Sequence, residues 1–353
     1  MHETASAARP ALLAALHRRL GGTLLAVVPT VDVAERAFAD LSYYLGEDEP
    51  KTIALVRSRD EAVGAIESPS ERSARMTLLA ELQDGAARIV LAPIAAVRQY
   101  LMPANVFTEL RFEARTGDEP GWETFQERLY RLGYTRVDVV SAAGEYAVRG
   151  GIVDLFAASE PLPTRIEFFG DQIDSIRQFG LESQRTQATV DCVAIVPWNQ
   201  IPRDDEYRGR ILERFAGPSA ARSELESAMQ NDADVPETWL SLAFERPATI
   251  FDYLRPDCIV AFDEPASIAT VAEALDRERT QEQHILLADV ESGELPIDES
   301  QVGEALLAEI GDTHPSLMEL ADAAKEHATL VIPGAIENAG LTEWVPSVLE
   351  RFA

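Results

Sequence analysis

The stretch TRIEFFGDQIDSIRQF, residues 164–179, alternates residue by residue around a central Gly-Asp pair. In an extended chain Arg165, Glu167 and Phe169 share one face and Ile166 and Phe168 the other, because successive strand side chains point to opposite sides. Gly170 and Asp171 are the residue types a tight hairpin turn requires. EYAVRGGIVDLF, residues 145–156, has the same period of two, and its Gly150 and Gly151 allow a bend or the close approach of another backbone. GWETFQERLYRLGY, residues 121–134, instead has helical spacing. Residues 108–195 are therefore expected to form an α+β domain, an antiparallel sheet with one helix against it.

The flanking sequence follows a different rule. ARPALLAALHRRL (8–20) is a helical stripe, TLLAVVP (23–29) a short buried strand, and TVDVAERAFADLSYYLG a helix with Thr30 and Asp32 as capping candidates and its end near Gly46. SERSARMTLLAELQDG (70–85) predicts a glycine-closed helix, ARIVLAP (87–93) a buried strand, and IAAVRQYLMP a short helix stopped by Pro103. Beyond the α+β segment come CVAIVPWNQIP (192–202), a charged helical stretch that includes YRGRILERF (207–215), and the strand CIVAFDEP (258–265). ADVESGELPIDESQVGE (288–304) reads as an acidic surface loop, and the last 40 residues as helix, buried strand ATLVIP and helix. Buried strands alternating with helices imply a parallel sheet covered on both faces. The α+β domain at 108–195 thus interrupts an α/β domain made of residues 1–107 and 196–353.

Composition narrows the function. Sixty Asp and Glu against 31 Lys and Arg give a net charge of −29, and only Lys51 and Lys325 are lysines. A field of this sign repels nucleic acid, so general adhesion to a phosphate backbone is disfavoured. Such acidity suits either a proteome adapted to high salt or an acidic partner-binding face. Between 108 and 200 the count is 15 acids and 9 arginines, a net −6, so this segment is less acidic but no basic patch. No apolar run approaches the roughly 18 residues of a membrane span and the start lacks signal-peptide character, so a cytoplasmic protein without membrane contact is expected. Cys192 and Cys258, both inside apolar runs, read as small buried hydrophobes.

The strand ending in Asp263 and Glu264 raises the question of ATP hydrolysis, since motors place such an acid pair beside Mg²⁺ and the attacking water. A motor also needs a loop of the form G-x-x-x-x-G-K-[ST] to cradle the phosphates, and the sequence contains no Gly-Lys dipeptide. The five histidines are scattered, no pair has metal-ligand spacing, and no nucleophile motif is present. Neither catalysis nor a metal, cofactor or small-molecule substrate is expected, and the acid pair reads as a degenerate remnant of a nucleotide site.

The order GYTRVD, VRGGIVDLF, RIEFFGDQIDSIRQF and SQRT resembles the UvrA-binding domain shared by the excision-repair helicase UvrB and the transcription-repair coupling factor Mfd, and DSIRQFGLESQRT is nearer the coupling factor. LLAVVPTVDVAERAFADL, RIVLAPIAAVRQYLMP and FDYLRPDCIVAFDEP resemble the degenerate, helicase-like (RecA-like) domain at that factor's N-terminus, which lacks a phosphate loop. UvrB carries a tyrosine-rich DNA hairpin where this chain has KTIALVRSRDEAVGAIESPSERSARM, without a tyrosine. The resemblance implies a UvrA-recruiting module acting in nucleotide excision repair. The positions matching the motif are Arg136, Arg149, Arg165 and Glu167, with Phe156 beside them; arginine suits the work because its planar fork grips carboxylates. RNA polymerase and DNA are expected to be engaged only through family domains that this sequence, whether a fragment or a free-standing version, does not contain. Two alternatives remain: a UvrB-like ATP-dependent damage-verifying helicase in which Asp263 and Glu264 are active, and an orphan interaction domain with a different partner.

Overall fold

The computed structural model describes residues 2–46, 52–58, 67–86, 88–214, 234–292 and 314–332, with a few positions between 215 and 233. The chain opens with helix α1 (His2–Leu20), strand β1 (Leu24–Val28), helix α2 (Val31–Leu45), strand β2 (Ile53–Leu55), helix α3 (Pro69–Asp84) and strand β3 (Ile89–Pro93). Local chemistry sets the ends. The Thr30 side chain accepts a bond from the Val33 amide at the start of α2, and Ser68 and Glu71 form a reciprocal capping box on α3. Gly85 closes α3 in the left-handed region at φ 78°. After β3 the helical pattern expected through Pro103 covers only α4 (Ile94–Val97). The chain then turns so that Leu101 bridges Ala248, and α5 (Ala104–Leu110) follows Pro103.

The middle of the chain contains β4 (Phe112–Arg115), α6 (Trp122–Arg131), β5 (Thr135–Arg136), β6 (Glu145–Arg149), β7 (Ile152–Leu155), β8 (Thr164–Phe169), β9 (Gln172–Phe179), β10 (Thr186–Thr189) and β11 (Cys192–Ile195). Six strands form one sheet in the order β10-β9-β8-β7-β6-β5. All pairs are antiparallel except β5 with β6, which is parallel, so the sheet is mixed at that edge. Helix α6 buries Phe125 and Leu129 against one face, where Phe168 meets Trp122 edge-on and Phe125 at a 60° tilt, with ring centroids 5.1 and 5.3 Å away. β4 and β11 pair as a separate antiparallel ribbon. Cys192 corrects the sequence reading: it is exposed, because β11 alternates and turns Val193 and Ile195 inward instead. Cys258 is buried as expected.

The chain then returns through α7 (Asp205–Arg214), α8 (Leu240–Ala243), β12 (Ile259–Asp263), α9 (Pro265–Ser292), α10 (Leu317–Ala324) and β13 (Ala328–Ile332). The acidic stretch expected as a loop from residue 288 is helical to Ser292 as the end of α9, and its remainder lies outside the described residues, as does the expected last helix. The parallel sheet has the order β13-β12-β1-β3-β2, so the ATLVI segment, which carried no motif, is its edge strand. Leu24, Ala26, Val28, Ile89, Leu91 and Ala261 face α1 and α2; Leu25, Val27, Val90, Ala92 and Val260 face the opposite layer, which includes Met76, Leu79 and Leu82 of α3. Among the described residues no helix is long and apolar enough to cross a membrane.

The two sheets share one hydrophobic cluster. Tyr134 is fully buried beside Trp198, its hydroxyl donates to the Val196 carbonyl, and Arg72 of α3 lies 5.4 Å over the Trp198 ring. Ser73 and Thr77 of α3 both donate to the Ala158 carbonyl beyond β7. Gly144, at φ 88°, permits the contact: a Cβ there would stand 2.3 Å from the Trp198 ring.

Candidate functional site

The face of the six-stranded sheet turned away from α6 is polar and open. Register brings Asp154, Arg165 and Arg177 side by side across β7, β8 and β9, with Ile152, Glu167 and Ser175 in the neighbouring row. Two arginines directly opposite one another would repel, and each is answered by a carboxylate. Arg165 grips the buried Asp154 with both arms of its fork, at 2.6 and 2.8 Å, and stacks 4.8 Å over the Phe179 ring. Hydrogen bonding to Asp154 drives the Arg165 pKa above its already high ordinary value. Arg177 donates to Glu167 at 3.0 Å, and the Ser175 hydroxyl donates to the other Glu167 oxygen at 3.0 Å. Arg165 and Glu167 are thus members of an internal cross-strand network as well as parts of the face.

Arg136 and Arg149 stand differently. Both are exposed, and among the described residues neither has a carboxylate within ion-pair distance. They line one concavity of about 700 Å³ at the β5–β6 edge, together with Val137, Asp138 and Val148. Arg149 is steadied by a 3.0 Å bond to the Asp138 carbonyl, which leaves the rest of its fork to solvent. Burial raises the pKa of the neighbouring Tyr146 phenol, while the charges of Arg136 and Arg203 pull it back down. Gly150 turns the β6–β7 hairpin at φ 60°, and a Cβ at Gly151 would meet the Phe168 carbonyl at 2.9 Å, so these two glycines allow the backbone approach the sequence anticipated.

Phe156 is half-buried just past β7, its backbone bonded to Glu145 and Gly144. Phe169, at the end of β8, is 83% exposed on the Arg165 and Glu167 face. The sequence alternation already placed it on that side, but nothing in the pattern distinguished an exposed aromatic from a half-buried one.

The second candidate, Asp263 and Glu264, lies at the carboxyl end of β12. Arg9 of α1 reaches both: its Nη1 is 3.1 Å from Asp263 and its Nη2 donates to Glu264. Desolvation pushes the Asp263 pKa up to about 6, with Arg9 lowering it and Glu264 raising it further. Glu264 adopts φ 57°, donates its amide to the Ile332 carbonyl at 2.9 Å, and accepts from the Ser267 hydroxyl at 3.1 Å. Among the described residues no three His, Cys, Asp or Glu side chains converge as a metal site.

Residues 112–200 match the UvrB interaction domain family. Across a longer span the chain is 28% identical to the transcription-repair-coupling factor of Bacillus subtilis over 293 residues, which covers 78% of this chain and 25% of the relative. It is 31% identical to that of Haemophilus influenzae over 238 residues (65% and 21%), and 26% identical to that of Staphylococcus aureus MRSA252 over 291 residues (76% and 24%). The chain therefore spans about a quarter of the length of these curated relatives. With a UvrB interaction domain at 112–200 and similarity to coupling factors on both sides of it, this chain is similar to the N-terminal UvrB-homology module of transcription-repair-coupling factors.

Proposed function

We propose that the chain is a non-catalytic UvrA-recruiting module that acts in transcription-coupled nucleotide excision repair in the cytoplasm. The observation that carries this reading is the pair of exposed guanidinium groups, Arg136 and Arg149, that line one concavity with Asp138 and form no ion pair among the described residues. In a chain of net charge −29 such groups are available to a partner's carboxylates, and a fork-to-carboxylate contact is both strong and directional. Arg165 and Glu167 contribute as a rigid, pre-paired part of the same face, and the exposed Phe169 supplies an apolar anchor. Phe156, half-buried, borders the face.

In this reading residues 108–195 are the recruiting domain and 1–107 with 196–353 a helicase-like domain that has lost nucleotide chemistry; RNA polymerase and DNA are contacted by other regions of a coupling factor. The absence of a Gly-Lys phosphate loop and the engagement of both Asp263 and Glu264 by Arg9 speak against the ATP-dependent alternative.

Calorimetric titration of UvrA into the wild type and Arg149→Glu tests the proposal. Saturable binding that weakens by about 2 kcal/mol or more in a folded variant is expected, the scale of an interface hot spot. A folded wild type that does not bind UvrA refutes it.

A further inference from the structure

Arg9 is placed by simple lengths. Eleven residues separate it from Leu20, about 16 Å of helix. A five-residue strand such as β1 or β12 also spans about 16 Å. Helix α1 enters β1 through the short turn Gly21-Gly22-Thr23 at the amino edge of the parallel sheet, so running back along the sheet it delivers Arg9 to the carboxyl edge, where Asp263 ends β12. The Arg9 and Asp263 side chains are each 9% exposed and that of Glu264 is 27% exposed. Arg9 Nε has no hydrogen-bond partner, so the guanidinium is held there by its two carboxylates and by the Leu12, Leu13 and Leu16 packing that fixes α1.

Asp263 depends on Arg9 in turn, and Glu264 shares it while also accepting from Ser267. The buried Asp263 beside the part-exposed Glu264, without a cation, carries a charge that must be relieved by a proton, a metal ion or rearrangement. The backbone cannot turn them away freely, because the Glu264 amide is bonded to β13 and its φ is in the left-handed region.

We propose that Arg9 is a built-in counter-cation that fills the space in front of Asp263 and Glu264 and closes this edge of the parallel sheet to divalent cations and to the phosphates they carry. Resting on the proposed reading of a helicase-like domain without nucleotide chemistry, α1 is the plug of the ligand edge, and that chemistry is blocked twice, by the missing phosphate loop and by the occupied acid pair.

The test is a Mn²⁺ titration of the full chain at pH 8 and 150 mM salt, followed by the electron paramagnetic resonance of free Mn²⁺, with the wild type, Arg9→Gln, and the triple variant Arg9→Gln/Asp263→Asn/Glu264→Gln. Arg9→Gln is expected to gain one saturable site at least tenfold tighter than any in the wild type, and the triple variant to lose it, which separates this site from diffuse binding to an acidic surface. A folded Arg9→Gln with no gain overturns the proposal, as does a wild-type site that Asp263→Asn/Glu264→Gln abolishes. Should Arg9→Gln not fold, the triple variant decides: its folding supports charge compensation, and its failure shows that Arg9 acts through packing alone and overturns the proposal.

Discussion

Arg165 and Arg149 lie on the same face of one sheet, and the structure assigns them opposite sensitivities. Truncating Arg165 to alanine removes both bonds to Asp154, whose side chain is 5% exposed, and leaves a carboxylate without its cation. Breaking a fully buried pair costs 3–5 kcal/mol. Because the Arg165 side chain is itself 23% exposed, water reaches part of the pair, and about 2–3 kcal/mol is expected. Arg149→Ala removes one bond from an exposed side chain to a main-chain carbonyl and should change stability by no more than about 0.5 kcal/mol. Hydrogen exchange of the β7, β8 and β9 amides measures this locally in a protein too large for a two-state melt. Arg165→Ala should speed their exchange by about 30- to 140-fold, taking 1.4 kcal/mol per factor of ten. Arg149→Ala should leave exchange unchanged and, if the proposed recruiting role holds, weaken UvrA binding. Asp154→Asn combined with Arg165→Gln should recover part of the protection, since no charge is then stranded. Equal exchange rates in Arg165→Ala and wild type would refute the assignment of Arg165 to the internal network.

Three further outcomes follow from local geometry. Gly144→Ala places a Cβ 2.3 Å from Trp198 at φ 88°; overpacking and left-handed strain together should cost about 3 kcal/mol, seen as faster exchange of the hydrogen-bonded Tyr134 and Trp198 amides. Asp263 binds its proton more tightly folded than unfolded, so its contribution to stability is greatest at low pH and is lost as pH rises from about 4 through about 6. Between those limits the wild type should lose about 2 kcal/mol relative to Asp263→Asn, and parallel stability–pH curves for the two would contradict the burial of this charge. Ser68→Ala deletes the α3 capping box and should lower stability by about 1 kcal/mol, with faster exchange confined to the first turn of α3.

The alternation in 164–179 was enough to place every side chain of β8 on its correct face, because a period of two is unambiguous when a glycine turn fixes the register. Caps at Thr30 and Gly85 are likewise local signals that survived tertiary packing, whereas the helix expected from Ser70 starts one residue earlier behind the Ser68 capping box. The parallel pairing of β5 with β6 was not legible: two residues carry no periodicity, and their direction depends on where the 137–144 segment returns. Cys192 misled because an apolar run looks buried on both faces, while a two-stranded ribbon covers only one. Within the site, chemistry identified arginines but could not sort them. Whether a guanidinium is committed internally depends on residues one strand away, as Asp154 lies opposite Arg165 while Arg149, with Ile152 opposite, forms no ion pair among the described residues. Arg9 was invisible for the same reason, standing 254 residues before its acid partner.

The continuity of the core through Tyr134, Ala158 and Trp198 has a mechanical consequence. An inserted unit on flexible tethers could swivel, and a body docked on it would wander in bearing. Here the sheet that carries Arg149 is welded to the parallel layer through aromatic packing and the Ser73 and Thr77 bonds, so whatever grips it inherits a fixed heading. A pull applied to one sheet is then passed to the other through this shared packing.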